Sequence, residues 1–164
     1  HPHFVVELVN NSEPFGHGLG IVAITVAVVL LDPSKRSRIA WFVGGSLGAG
    51  ILASAAKLLI ARYRPRAFDL ENGTVWQTFR CWFPGFGGTS TQSMPSSHTV
   101  AAVGLAIMLS AWYPRGRWLF VTLAVLVGVN RMHQLAHFPS DVLVGAALGW
   151  FVGSWCVIGD QVTM

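Results

Sequence analysis

Apolar residues gather in five runs along the chain, at 15–31, 39–60, 98–112, 118–129 and 141–158. A helix needs about 20 residues, and at least about 17, to cross a hydrocarbon layer. The second and fifth runs meet that length and the first is marginal. The third and fourth meet it only if their helices extend into flanking polar residues, and such extension is expected because polar residues of chemical interest lie at those ends. Small residues recur at every fourth position: Gly145, Gly149 and Gly153 share one face of the fifth run, Gly44 and Gly48 one face of the second. In lipid this spacing lets helix backbones approach closely. The pattern predicts an all-α fold, a polytopic membrane helical bundle with about five transmembrane helices, in a single domain over residues 1–164.

The connectors suggest an orientation. The 32–38 loop carries Lys35, Arg36 and Arg38, and the 113–117 loop carries Arg115 and Arg117. Short basic loops stay cytoplasmic, which puts the 61–97 and 130–140 connectors on the opposite side. Trp41, Trp112 and Trp118 flank the basic loops and are expected to form an interfacial aromatic belt. A connector as long as 61–97 is usually functional. Its aromatic-rich stretch 75–86 reads as an interfacial lid or lipid gate, with a passive surface loop as the equal alternative. Cys81 and Cys156 fall on opposite faces, so no bridge between them is expected. The chain opens with His1, and residues 1–14 are expected to be the tail of an upstream helix or loop.

Composition strengthens the membrane reading. Hydrophobic residues make up 52% and charged residues 11% of the chain, against about 25% charged in soluble domains. The net charge of +4 does not point to nucleic acid, because no basic stripe with interleaved aromatics accompanies it. Positive-inside loops plus a local anion site account for it better.

Several polar residues converge on the non-cytoplasmic face. Lys57 lies near the end of the second run, and Arg64-Pro65 follows seven residues later. That is close to two helical turns, so both cations are expected on one side. The third run opens at Pro95-Ser96-Ser97-His98, setting free N–H groups and a histidine at a helix start, where anions bind. Arg131 follows the fourth run, and His137 and Asp141 follow it. Each residue alone has an ordinary explanation as a snorkelling or interfacial side chain; their convergence from three stretches does not. His133, His137 and Asp141 at four-residue spacing raise the question of a metal site. Pro139 interrupts that helical face and the nearby arginines oppose a cation, so neither metal nor cofactor is expected.

Lys57-x6-Arg64-Pro65, Pro95-Ser96-Ser97-His98 and Arg131-x5-His137-x3-Asp141 together resemble the three-part signature of the type 2 phosphatidic acid phosphatase family, which includes vanadium haloperoxidases and glucose-6-phosphatase. Ser97 stands where glycine is usual, and Asn130 where serine usually precedes the arginine. The family's membrane members generally have six helices, so this chain looks short of the first. The resemblance implies His137 as a phosphorylated nucleophile, His98 as the acid that protonates the leaving group, and Asp141 as the partner of His137. Lys57, Arg64, Ser96, Ser97 and Arg131 are implied as the phosphate cradle. The implied activity is hydrolysis of a membrane lipid phosphate or diphosphate at the extracytoplasmic face of a bacterial inner membrane. Undecaprenyl diphosphate, phosphatidylglycerol phosphate, phosphatidic acid and lipid A phosphate are the substrates in view. A phosphotransferase using the same residues, or a membrane scaffold that binds phosphate lipids without turnover, are the alternatives. A soluble haloperoxidase is disfavoured by the membrane-length runs.

Overall fold

The computed structural model describes residues 2–83 and 88–163. Helix α1 (Pro2–Asn11) leads through a 3-10 turn into α2 (Gly18–Leu31), the stretch His3–Gly16 meeting α2 at 69°. A second 3-10 turn opens the run made of α3 (Ile39–Val43), a π turn at Gly44–Gly48, and α4 (Ala49–Ala56). Strands β1 (Ile60–Arg62) and β2 (Phe79–Trp82) then pair antiparallel. Helices α5 (Ser97–Trp112), α6 (Arg117–His133) and α7 (Pro139–Val162) complete the chain. The unbroken helical run Pro33–Ala56 and helix Pro139–Val162 are long and apolar enough to cross a membrane, and the bent pair of α1 and α2 makes a third if it is one span.

Helix α5 is the centre of the bundle. It packs against α7, α6, α4 and the π turn, and Val100, Ala102, Leu105 and Met108 are almost wholly buried. A helix surrounded on all sides has to be apolar all round, as this one is. The glycine face of α7 makes the tightest contact. A Cβ added at Gly145 would lie 2.9 Å from the carbonyl oxygen of Ser96, and one at Gly153 3.2 Å from the Cα of Gly104. This close approach is what the four-residue spacing predicts. The outward faces are apolar too: Leu31, Ile51, Leu119, Leu143, Phe151 and Trp155 are all well exposed. Such a surface suits hydrocarbon and would be an association hazard in water.

The structure corrects several expectations. The second helix stops at Ala56 rather than near 60, and the chain turns at Lys57 into β1. Lys57 and Arg64 are therefore not related by helical turns; a turn and a strand carry them instead. The long connector is built around the β1–β2 hairpin, so the fold is mostly helical but not purely so. Its 75–86 stretch contributes the 3-10 turn Val75–Thr78 and strand β2, while residues 84–86 of it lie outside the described residues. In the second run the π turn shifts the register by one residue. Gly45 and Ala49 face Gly104 of α5, in place of Gly44 and Gly48. The fourth run extends as expected, to Arg117–His133, but the third gains only Ser97. Trp112 is not a lipid-belt residue: it is buried, stacks on Phe42 at 4.9 Å, and donates Nε1–H to Asp160 at 2.8 Å. A buried indole needs such a partner, and Asp160 supplies it while also holding Arg38 at 3.2 Å. Cys81 is exposed in β2 and Cys156 is buried in α7, both as free thiols.

Candidate active site

The link between α6 and α7 is a short reversal at Gln134–Phe138. Leu135 takes a left-handed φ of 49°, a conformation side chains resist. The amides of Ala136 and His137 both donate to the carbonyl of Arg131, at 3.1 and 3.2 Å. The turn thereby places His137 inside the molecule, 3% exposed. Its Nδ1 lies 2.6 Å from the carbonyl oxygen of Ser93. A carbonyl only accepts, so Nδ1 carries the proton and the neutral ring keeps its lone pair on Nε2. Burial holds the His137 pKa below the ordinary imidazole value, Asp141 opposes that shift, and the charges of Lys57 and Arg64 add to it.

Asp141 sits wholly buried in the first turn of α7. Its Oδ2 is 3.9 Å from Nδ1 of His137, within reach of charge but beyond a hydrogen bond. The carboxylate instead accepts from Ser93 Oγ at 2.6 Å, from the backbone N–H of Phe138 at 2.9 Å, and from Nη1 of Arg62. Ser93 therefore fixes the tautomer of His137, and Asp141 supplies the negative charge beside it. The carbonyl of Asp141 also accepts from the amide of Ser96 at 3.1 Å, which joins the starts of α7 and α5.

Sequence reasoning missed Arg62. It is 1% exposed, lies between the rings of Phe79 and Phe138 at 4.5 and 4.3 Å, and donates to Thr78 at 3.1 Å and Ser140 at 2.7 Å besides Asp141. The available signal was strand alternation. Residues 60, 62 and 64 fall on one face of an extended segment, and reading that segment as a helix end hid the pairing. Ser93 carried no spacing signal at all.

The cations gather around this centre. Lys57, half-buried at the end of α4, feels the charges of Arg64 and Asp141. Arg64, just beyond β1, feels Arg131 and Asp141 and is oriented by donating Nε–H to the carbonyl of Thr89 at 2.8 Å. Arg131 is 6% exposed. Its Nη2 is held by Asn130 at 3.2 Å, Gln134 at 3.0 Å and Glu13 at 3.0 Å. Its Nε–H, by contrast, is buried with no hydrogen-bond partner among the described residues. A buried donor without a partner is costly and suits an anion that arrives with substrate. Asn130 is wholly buried, and its amide also donates to the carbonyl of Val9 at 2.8 Å. It thus ties α1 to the site, which accounts for a carboxamide at this position.

Helix α5 supplies the remaining wall. Its first α-helical bond runs from Val100 N–H to Ser96 O, so the amides of Ser97, His98 and Thr99 precede it and form the positive end of the helix. Ser96 is buried, its hydroxyl accepting from Thr99 at 3.0 Å, whereas the Ser97 hydroxyl is 3.4 Å from that of Ser54 on α4. His98 feels the charges of Arg131, Glu13, His17 and His137, and its ring centroid is 5.8 Å from that of His17. Among the described residues no three His, Cys, Asp or Glu side chains converge as a metal cluster. His133 ends α6, exposed, on a different helix from Asp141. The arrangement combines an uncharged imidazole with three cations and a helix start, which is the equipment for stabilising charge on a phosphoryl group.

Several known proteins are similar to this chain. A stretch of 104 residues, 63% of the chain, is 34% identical to the lipid A 1-phosphatase of Rhizobium etli and covers 42% of that protein. Over 57 residues, 35% of the chain, it is 35% identical to 28% of the bacitracin transport permease protein BcrC of Bacillus licheniformis. Over 135 residues, 82% of the chain, it is 24% identical to the undecaprenyl-diphosphatase of Sulfolobus acidocaldarius, covering 58% of it. The chain thus spans about two fifths of the length of the rhizobial lipid A 1-phosphatases it matches. No solved structure matches it. The family model described as the PAP2 superfamily matches residues 38–162, a span that contains all three signature parts, and the chain belongs to that superfamily.

Proposed function

We propose that this chain carries the catalytic centre of a lipid phosphatase that works through a phosphohistidine at His137. The observation that carries the reading is the pairing of Ser93 O with Nδ1 of His137, which leaves Nε2 nucleophilic amid Lys57, Arg64 and Arg131. In the first step Nε2 attacks phosphorus, the bond to the leaving oxygen breaks, and His98 gives that oxygen a proton. Positive charge developing on His137 is balanced by Asp141. In the second step water attacks phosphorus, His98 takes its proton, and the P–N bond breaks to release phosphate. Lys57, the guanidinium groups of Arg64 and Arg131, the Ser96 hydroxyl and the amide of Ser97 stabilise the phosphoryl oxygens throughout.

The substrate reading rests on the setting of the site. A groove lined by Ile21, Leu47, Ile51, Ser54, Ser97 and His98 brings residues of α2 and of the Pro33–Ala56 run together with the start of α5, and suits an acyl or prenyl chain. The relatives' names point to lipid A or undecaprenyl diphosphate; phosphatidic acid and phosphatidylglycerol phosphate fit the same chemistry. All five apolar segments are taken as membrane crossings, with the site facing the periplasm or exterior of an inner membrane and the Lys35–Arg38 and Arg115–Arg117 loops in the cytoplasm.

Purified protein in detergent with EDTA is expected to release phosphate from members of this substrate panel. Transfer to an added alcohol in preference to water would identify a phosphotransferase. Binding of the same lipids with no turnover, and indifference to Asp141→Asn, would leave only a phosphate-lipid scaffold.

A further inference from the structure

The N-terminal stretch lies outside residues 38–162 matched by the family model, yet it reaches the catalytic wall at three points. Glu13 Oε1 is 3.0 Å from Nη2 of Arg131, Asn130 donates to the carbonyl of Val9, and His17 lies beside His98. On this stretch a pocket of about 450 Å³ is lined by Asn10, Asn11, Glu13, Pro14, His17 and Leu19. Its side chains offer two carboxamides, a carboxylate and an imidazole. Carboxamides both donate and accept, as hydroxyl groups do, so this set pairs well with several hydroxyls on one ring. The Glu13 carboxylate disfavours a second phosphate in the same place, and an acyl chain would leave the amides unpaired.

Position adds to chemistry. Arg131 turns Nη2 toward Glu13 and keeps a buried Nε–H without a partner. A phosphate on that Nε–H sits on the same guanidinium that meets Glu13 of the pocket, and His98 lies beside His17. His17 borders both this pocket and the apolar groove. An amphiphile bound there has its chain in one and its polar unit in the other.

Building on the lipid-phosphatase reading of the site, we propose that the pocket of Asn10, Asn11, Glu13 and His17 is a subsite for a hydroxylated, sugar-like unit that bears the phosphate to be removed. The shared chemistry is a sugar 1-phosphate, either lipid-linked or free in solution.

The test compares an acylated glucose 1-phosphate with phosphatidic acid of equal chain length, using the protein in nanodiscs. Wild type is expected to favour the sugar substrate in kcat/KM, and the double variant Asn10→Ala/Asn11→Ala to shrink that preference about tenfold, mainly through KM. Unaltered thermal melting shows that the variant is folded, and Asn11→Gln is expected to restore part of the preference. Free glucose 1-phosphate and glycerol 3-phosphate, as competitive inhibitors, show whether the sugar phosphate binds without a lipid chain. Stronger inhibition by glucose 1-phosphate, lost in the double variant, supports the subsite for both sources; a preference seen only with the acylated substrate supports it for lipid-linked sugars. A substrate ratio that is the same in wild type and double variant overturns the proposal and leaves the phosphatase reading intact. If no substrate is hydrolysed, direct binding of glucose 1-phosphate decides: weakened binding in the double variant upholds the subsite while the hydrolase reading falls, and equal binding overturns the subsite.

Discussion

The chemistry of the site depends on one proton on one ring. Because Ser93 O holds the Nδ1 proton of His137 and burial holds its pKa below the ordinary value of 6.5, the proposed nucleophile stays uncharged as pH falls through 6.5. The acid limb of kcat/KM is therefore expected below that value in a pH–rate profile, and a limb above it would contradict the geometry. Asp141 favours the charged ring, so Asp141→Asn moves the limb further toward acid while lowering the rate. Arg62 matters in a different way. Both it and Asp141 are buried in the ion pair, with side chains 2% and 0% exposed, and removing one partner of such a pair costs about 3–5 kcal/mol. Arg62→Met is accordingly predicted to lower the melting temperature clearly in a detergent-solubilised unfolding assay. Arg62→Lys keeps the charge but not the fork that serves Thr78, Ser140 and Asp141 together, and is expected to lose most of the activity with a smaller loss of stability. The residues of the three signature parts were legible in the sequence because their spacing is unusual. Arg62 and Ser93 were not, since pairing across 79 and 48 residues leaves no local pattern.

At the scale of elements, the site stands where three segments meet, and backbone proximity decides how they meet. The start of α7 is bound to the start of α5 through Ser96 N–H to Asp141 O, and Gly145 allows that approach. A larger side chain at Gly145 meets the Ser96 carbonyl at 2.9 Å. Gly145→Val is therefore expected to separate the two helix starts and reduce kcat by about a hundredfold, as small misplacements of catalytic groups do. Ala147→Val, on the exposed side of the same helix, is expected to leave kcat near wild type. Equal effects in steady-state assays would contradict the packing account. The helices themselves were readable from apolar runs, and the α7 glycine face from its period. The β1–β2 hairpin was not, because Ile60–Arg62 continues an apolar run without a break, and periodicity alone does not separate a strand from a helix end in so short a segment. The π turn at Gly44–Gly48 was equally hidden, since it changes hydrogen bonding without changing composition.

For the whole molecule, the proposed orientation has catalysis on one membrane face and the basic loops on the other. Cys81 is exposed in β2 on the catalytic side, and Cys156 is buried. A membrane-impermeant maleimide is expected to label Cys81 from outside intact cells, and labelling only after lysis would reverse the orientation. The apolar exterior, the hairpin cap and the polar N-terminal pocket together fit the proposed enzyme, whose substrate would share the bilayer and present its phosphate at the surface. The most direct test of that description is phosphate release in EDTA by the wild type and by His137→Ala, each shown to be folded by its melting curve. A phosphohistidine at His137 predicts turnover by the wild type and a loss of at least about a thousandfold in the variant. Phosphate release by His137→Ala at a rate near wild type would contradict it.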